Sequence, residues 1–346
     1  MDFEDSKIAT VIPTKVVGQI KIIYKGAVCL ISTPLATLEI PLWSSVKRGA
    51  LVSQKTAGID VRVIDDVMSR SVIVEANNLE NALVCKDWIE SNLDLAKKVV
   101  ETTSRFAKLR RIITENVGRL LYLRLEMTTG NASGHNMVTR AADAVLDFII
   151  ANCRNVKYVS ISGNYCTDKK PSSVNGILGR GKRVSAEIVV PCGVCESILK
   201  STPAKIVNLN NKKNLAGSIL SGSVRSANAH FANIVLAVYL ATGQDAANVV
   251  EASQGITFAD FEGQDLYFSV NIPNIIVGTV GNGKNLDFAA SNLELMGCGA
   301  SDSGSAQRLA AIIGAAVLCS ELSLMAAQTN RGELTASHMR LERHSE

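Results

Sequence analysis

Seven prolines in 346 residues leave no Pro-rich linker, so any joint between domains must fall in a short connection. Histidine is scarcer still. The four present, His135, His230, His338 and His344, include no pair at helical metal-binding spacing, and none neighbours a cysteine cluster. No metal site is therefore expected. Charge of one sign is also missing: the net charge is +4 and the cations are scattered, which argues against a nucleic-acid partner. The start, MDFEDSKIATVIP, is acidic and has no apolar core of a signal peptide. The longest apolar run, residues 310–327, is broken by Ser320, Glu321 and Ser323 and reads as a buried helix rather than a membrane span. A cytoplasmic protein without a membrane partner is the expectation. The eight cysteines lack regular spacing, as for free thiols in a reducing compartment, and the lone CxxC of Cys192 and Cys195 is weak evidence for redox chemistry.

Two nucleotide motifs are absent in their full form. No strand–GxGxxG–helix stands near the start, so the usual dinucleotide fold is not indicated. GTVGNGKN (278–285) resembles a phosphate loop but has Asn285 where a P-loop needs Ser or Thr for magnesium, which excludes that NTPase class. Its glycines still allow backbone N–H groups to approach a pyrophosphate. MTTGNASGHNM (127–137) joins a strand to a helix start, where the helix dipole favours a phosphate; a capped turn is the plain alternative.

With 47% hydrophobic and 20% charged residues, the chain has ample material for a core. Residues 16–32 read as a hairpin around Gly26, and 34–53 carry helical spacing with Leu42, Val46 and Leu51 on one side. Residues 61–75 read as two strand runs split by a polar turn. From 72 to 161 the order is strand, helix (79 to about 108), strand (Leu121–Met127, strictly alternating), helix (137–151), strand (156–160). The fold class is accordingly α+β. A small layer of split βαβ, ferredoxin-like type at 72–161 is inserted into a large mixed helical and sheet domain made of 1–71 and 162–346.

The strongest chemical signal is SGNYCTDKKPSSVNGILGRGKRV (162–184). Adjacent lysines follow an aspartate in a loop of small polar residues. A lysine fixed there can act as an electrophile toward a carbonyl oxygen that gains negative charge; a solvated charge run is the alternative.

This stretch resembles the lysine loop of the hydroxymethylglutaryl-CoA reductases. The resemblance continues, in order, through PLATLE (34–39), IDDVMSR (64–70), TSRFAKL (103–109), residues 211–235, GQDAANVVEAS (243–253), residues 265–286 and residues 321–339. It covers about nine tenths of the chain. It implies an NADPH-dependent enzyme (NADH being possible) that reduces an acyl-CoA thioester to mevalonate in two hydride steps. By resemblance Lys169 stabilises the oxyanion, Glu39 supplies a proton from a carboxyl whose pKa must be raised, Asp245 tunes the lysine, and His338 protonates the departing thiolate. Substrate contacts map to Arg70, Asp168 and Lys170, with Ser162, Asn164 and Asn233 as polar supports and His230 shaping the pocket. The inserted layer corresponds to the cofactor domain. Ser104 and Arg105 match positions near the adenosine phosphate, where an arginine suits NADPH. The rest of the implied cofactor surface is Asn131, Ser133, Gly134, His135 and Asn136 with Val280, Gly281 and Gly283. A site built between two subunits implies a homodimer or larger assembly.

The chain departs from the family pattern at four points. The cofactor loop has Asn131, Ser133 and His135 where an aspartate and two methionines are usual. Ile40-Pro41-Leu42-Trp43 follows Glu39 in place of Gly and a small residue. The N-terminal motif at the thioester end reads Thr14-Lys15-Val16-Val17-Gly18, and the strands after it are poor in glycine. A second reading therefore stands beside the reductase: a catalytically altered paralogue that binds or reduces another acyl-CoA.

Overall fold

The structure, a computed structural model, describes residues 10–342, with the backbone alone at 337, 338 and 340–342. Strands β1 (Thr14–Tyr24) and β2 (Ala27–Ala36) form the expected hairpin, turned at Lys25–Gly26 where both residues have positive φ. Helix α1 (Pro41–Gln54) begins with proline at its first turn, where the missing N–H costs nothing. Its buried face is Leu42, Val46, Gly49, Ala50 and Ser53, whereas Leu51, expected on that face, is exposed.

No turn interrupts residues 61–75. Strand β3 (Ile59–Ala76) runs unbroken for 18 residues, and that length lets it serve two sheets. Its first half pairs with β1 and with β7 (Gly181–Val190). β7 continues the first sheet through β10 (Asp265–Ile275), β9 (Gly255–Glu262) and the short β8 (Ser226–Ala227). The second half of β3 pairs with β5 (Leu120–Thr128) and β6 (Val156–Ser160), and β5 pairs with β4 (Lys108–Val117). These four strands lie in the order β4-β5-β3-β6, all antiparallel, with helices along the chain between β3 and β4 and between β5 and β6. The single helix expected from 79 to about 108 is two, α2 (Leu79–Ser91) and α3 (Leu93–Thr103). Asn92 breaks it: its side chain donates back to the Trp88 carbonyl at 2.8 Å and it stands as the N-cap of α3.

Each sheet carries its own core. Val72, Leu121, Leu123, Leu125 and Met127 pack against α4 (His135–Asn152) through Val138, Ala142, Val145 and Ile149. The first sheet packs against the helix Ser305–Gln328. That helix is apolar and long enough to cross a bilayer, but 94% of its most apolar window is buried in the protein. Small residues bring it close: a Cβ at Gly49 would lie 2.1 Å from the Cys319 carbonyl oxygen, and one at Gly314 would lie 2.5 Å from Val184 Cγ1.

Candidate active site

The lysine loop is shaped by backbone rarely adopted by L-residues. Asn164, Thr167 and Lys169 all have positive φ (56°, 45° and 55°), in a turn closed by the Thr167 N–H donating to the Asn164 carbonyl. The loop is stapled from below by Arg124 on β5. That guanidinium donates to the carbonyls of Tyr165 and Gly179, to Asn175 Oδ1 and to Glu126 Oε1, at 2.6–3.0 Å. Arg124 and Glu126 are fully buried, so the polar face of alternating β5 looks onto the loop and not into water.

At the loop's tip, Lys169 Nζ meets Asp245 Oδ2 at 2.7 Å. Asp245 caps the turn Ala246–Asn248, accepting from the Ala247 N–H at 3.1 Å. The Asp245 hydrogen bond raises the Lys169 pKa against the opposing effect of burial, so the amine stays charged. Burial pushes the Asp245 carboxyl up, but the Lys169 ammonium and the Ala247 N–H together outweigh it and hold the carboxyl below the usual range. The lysine side chain remains 40% exposed, able to reach a ligand. Beside it, Asp168 pairs with the buried Arg180 at 3.0 Å, and Lys170 Nζ donates to the Asp168 carbonyl at 3.1 Å. Arg70 on β3 donates to the Ile161 carbonyl at 3.1 Å, and the Ser162 N–H donates to Ser160 Oγ at 3.0 Å. Arg70, Ser162, Asn164, Asp168, Lys169 and Lys170 thus lie on this loop or at its base.

Glu39, His230 and Asn233 form a different cluster. Asn233 Nδ2 donates to Glu39 Oε2 at 2.6 Å, and both line a cavity of about 610 Å³ with His230, Arg48 and Ser323. Its wall is completed by Glu333, Leu334 and Ala336 of the helix Glu333–Glu342, which carries His338; the His338 side chain lies outside the described residues. His230 is held against Ser320 Oγ at 2.6 Å, and burial lowers its pKa. Lys213, whose pKa burial also lowers, faces Glu321 and His230.

The two clusters do not meet within one chain. His230 and Asn233 stand at the start of the helix Phe231–Ala241, and Asp245 stands beyond its end. Eleven residues at 1.5 Å per residue put them roughly 16 Å apart along the axis. None of the cavity-lining residues belongs to the lysine cluster.

A third surface adjoins the lysine cluster. The 129–135 loop lies on the 278–281 loop through an Ala132–Val280 bridge and the Thr279 N–H donating to the Asn131 carbonyl at 2.8 Å. A Cβ at Gly278 would lie 2.4 Å from the Ser133 nitrogen, and one at Gly283 would lie 2.4 Å from the Gly243 oxygen, two residues before Asp245. Asn131 is tied down by donating to the Asp302 carbonyl at 2.8 Å. Gly134 begins α4 in left-handed conformation without a side-chain cap, which leaves the first-turn N–H groups of an 18-residue helix unclaimed by a side chain. Ser104 ends α3, Arg105 lies over the Phe106 ring at 4.7 Å, and that ring is the nearest group to Gly130. The surface therefore runs from Ser104 and Arg105 past Ser133, Gly134, His135 and Asn136 to Val280 and Gly281. Open glycine backbone, free helix N–H groups and an exposed arginine suit a phosphorylated dinucleotide. His135 Nε2 lies 3.1 Å from Asn248 Nδ2 and 3.3 Å from its Oδ1, which joins this loop to the Asp245 turn. Burial and then Arg180 lower the His135 pKa against the opposite pull of Asp168 and Asp245.

Sequence reasoning assigned no role to Arg124, Arg180, Lys213, Asn248 or Glu251. Arg180 and Lys213 lie within matched motifs, and Glu251 is a lone acid among Val and Ala, the pattern of a buried charge.

A family model described as hydroxymethylglutaryl-coenzyme A reductase matches residues 7–343. The enzyme of that name from Methanothermobacter thermautotrophicus is 42% identical over 96% of this chain and 83% of its own. The Pyrococcus horikoshii enzyme is 44% identical over 91% of this chain and 78% of its own. Among solved structures, the Streptococcus pneumoniae class II reductase bound to NADPH superimposes with a TM-score of 0.76. It is 18% identical and covers 94% of this chain and 87% of that one, a likeness of fold.

Proposed function

This chain belongs to the hydroxymethylglutaryl-coenzyme A reductase family, and from that premise we infer that it reduces 3-hydroxy-3-methylglutaryl-CoA to mevalonate and CoA with NADPH. The observation that carries this reading is the Lys169–Asp245 pair, set at 2.7 Å beside the glycine-lined loops. The layer built on β4, β5 and α4, residues 72–161, is the proposed cofactor domain, within a substrate domain of 1–71 and 162–346.

Each residue has a role its surroundings support. Lys169, kept charged by Asp245, donates to the carbonyl oxygen that becomes an oxyanion. Arg70, Asp168 and Lys170 orient the acyl carboxylate, with Ser162 and Asn164 as nearby polar groups. Asn233 occupies one oxygen of Glu39, which directs a transferable proton to the other. His338, on the helix that walls the Glu39 cavity, protonates the thiolate leaving group. Bound NADPH supplies the hydride; Ser104, Arg105, Asn131, Ser133, Gly134, His135, Asn136, Val280, Gly281 and Gly283 are the residues that would hold it. The divergent stretch Lys15–Gly18 lines a second cavity with Trp43 and Lys47, where Lys15 Nζ sits 4.4 Å over the indole. Two lysines and an aromatic wall suit the CoA arm. Because Glu39 and Lys169 stand at opposite ends of one helix, a substrate carbonyl touches both only if two copies face each other. We therefore place the working site between subunits of a homodimer, in the cytoplasm.

The test is NADPH and NADH absorbance decay with hydroxymethylglutaryl-CoA, for wild type and Lys169→Ala. Oxidation lost in the variant supports the reading and settles the cofactor. A folded, dimeric wild type that turns over with neither cofactor refutes it and favours the altered paralogue.

A further inference from the structure

Asp245, Asn248 and Glu251 follow one another at intervals of three, across the 3₁₀ turn Ala246–Asn248 and the short helix Val249–Ala252. Three residues per turn stack them near one edge. Asp245 takes the Lys169 ammonium, and Asn248 takes the His135 ring. Glu251 lies deepest, with no exposure to solvent. Its Oε1 accepts from Arg180 Nη1 at 2.8 Å, and the same Nη1 lies 3.0 Å from Asp168 Oδ1. The Lys169 backbone N–H also lies against its carboxyl. Its second oxygen, Oε2, has no hydrogen-bond partner among the described residues.

Building on the reductase reading, we propose that Glu251 is a positioning residue for Lys169. From beneath the loop it holds the left-handed turn through the Lys169 main chain, and through Arg180 it holds Asp168, so that the ammonium is presented beside Asp245. A carboxyl left with an unpartnered oxygen in the interior is costly for stability alone, which is why a role in the loop above it is the better account. Burial pushes this carboxyl up to about 7 against the opposing effects of Arg180 and the Lys169 N–H, so its charge changes near neutrality. The charged and titratable groups around it are Arg180, Asp168 and Lys169 from the loop side, the buried Tyr239 from the helix Phe231–Ala241, and His135 from the start of α4 through Arg180 and Asp168. Ionised, Glu251 gives the loop a third carboxylate against Lys169 and Arg180; protonated, it leaves two against two.

The experiment measures kcat and both KM values from mildly acidic to alkaline pH for wild type, Glu251→Gln, Glu251→Asp and His135→Gln. Amide exchange of residues 167–170 is followed in parallel, a readout that needs no turnover. The expected result is a kcat lowered about ten- to a hundredfold in both Glu251 variants. KM for NADPH stays within about twofold, the neutral inflection is lost in Glu251→Gln only, and exchange at 167–170 is faster in Glu251→Asp. If Glu251→Gln does not fold, Glu251→Asp decides: its shorter arm keeps the charge and loses the contact, and wild-type kcat and exchange in it overturn the proposal. An inflection that disappears with His135→Gln and persists in Glu251→Gln overturns it as well. A wild type without turnover sinks the reductase reading alone, because exchange at 167–170 still tests the position of Lys169.

Discussion

Replacing Arg124 by methionine tests whether the small layer dictates the geometry of the lysine loop. Methionine keeps most of the volume and removes every donor. The substitution deletes four hydrogen bonds of 2.6–3.0 Å and leaves Glu126, itself buried, with only Arg111 at 2.6 Å as a partner. Breaking a buried pair from one side costs about 3–5 kcal/mol. The carbonyls of Tyr165 and Gly179 and the Asn175 amide lose a donor too, but the loop can rise and let water reach them, so the same range is kept for the whole. At roughly 2 cal/mol/K of unfolding entropy per residue, a chain of this length should lose about 4–7 °C in Tm. The loop carries Asp168, Lys169 and Lys170 and would rise with its support, so kcat should fall and KM for the acyl-CoA should rise while NADPH affinity is spared. Differential scanning calorimetry with steady-state kinetics on one preparation measures both effects. An unchanged Tm would refute the energetic argument, and a lowered Tm with wild-type kinetics would refute the link from β5 to the loop.

Lys169→Ala should lower kcat by about 10²–10³ with a small change in NADPH affinity, as for removal of one oxyanion donor; pre-steady-state hydride transfer reads it directly. Asp245 is held low and Lys169 high, so their attraction is present above the ordinary carboxylate range and fades only as pH falls through the depressed Asp245 value. It is lost on the alkaline side only above the raised lysine value, so Asp245→Asn should move the acid limb of the kcat profile while leaving the neutral inflection in place. Arg105→Ala should raise KM for NADPH about tenfold and leave KM for NADH nearly unchanged, because only the former carries the extra phosphate. Mixing Glu39→Gln with Lys169→Ala, each inactive alone, should recover about a quarter of wild-type activity in randomly mixed dimers, since half the dimers then hold one intact site of two. A site built within one chain would recover none.

What could be read from the residues alone was whatever depended on local spacing. The strict alternation of Leu121 to Met127 gave β5, and the 156–160 run gave β6 with its observed ends, because a period of two needs no distant information. The same alternation misleads about environment: it places Arg124 and Glu126 opposite an apolar face, and nothing local says that the lysine loop rather than water covers them. The polar residues within 61–75 read as a turn between two strands, yet β3 runs straight through them. In the fold Asp66 is neutralised across the sheet by the buried Lys182 at 3.1 Å, so the polar pair marks the crossing from one sheet to the next. The site was legible to the same degree. Lys169 with Asp245, and Asn233 with Glu39, are each joined by a single contact, yet the distance between the pairs depends on the length and direction of the helix Phe231–Ala241. That helix holds four residues found in separate motifs as two pairs at its opposite ends. A motif names the residues of both pairs without saying that one chain keeps them apart, and it is this separation that the mixed-variant experiment tests.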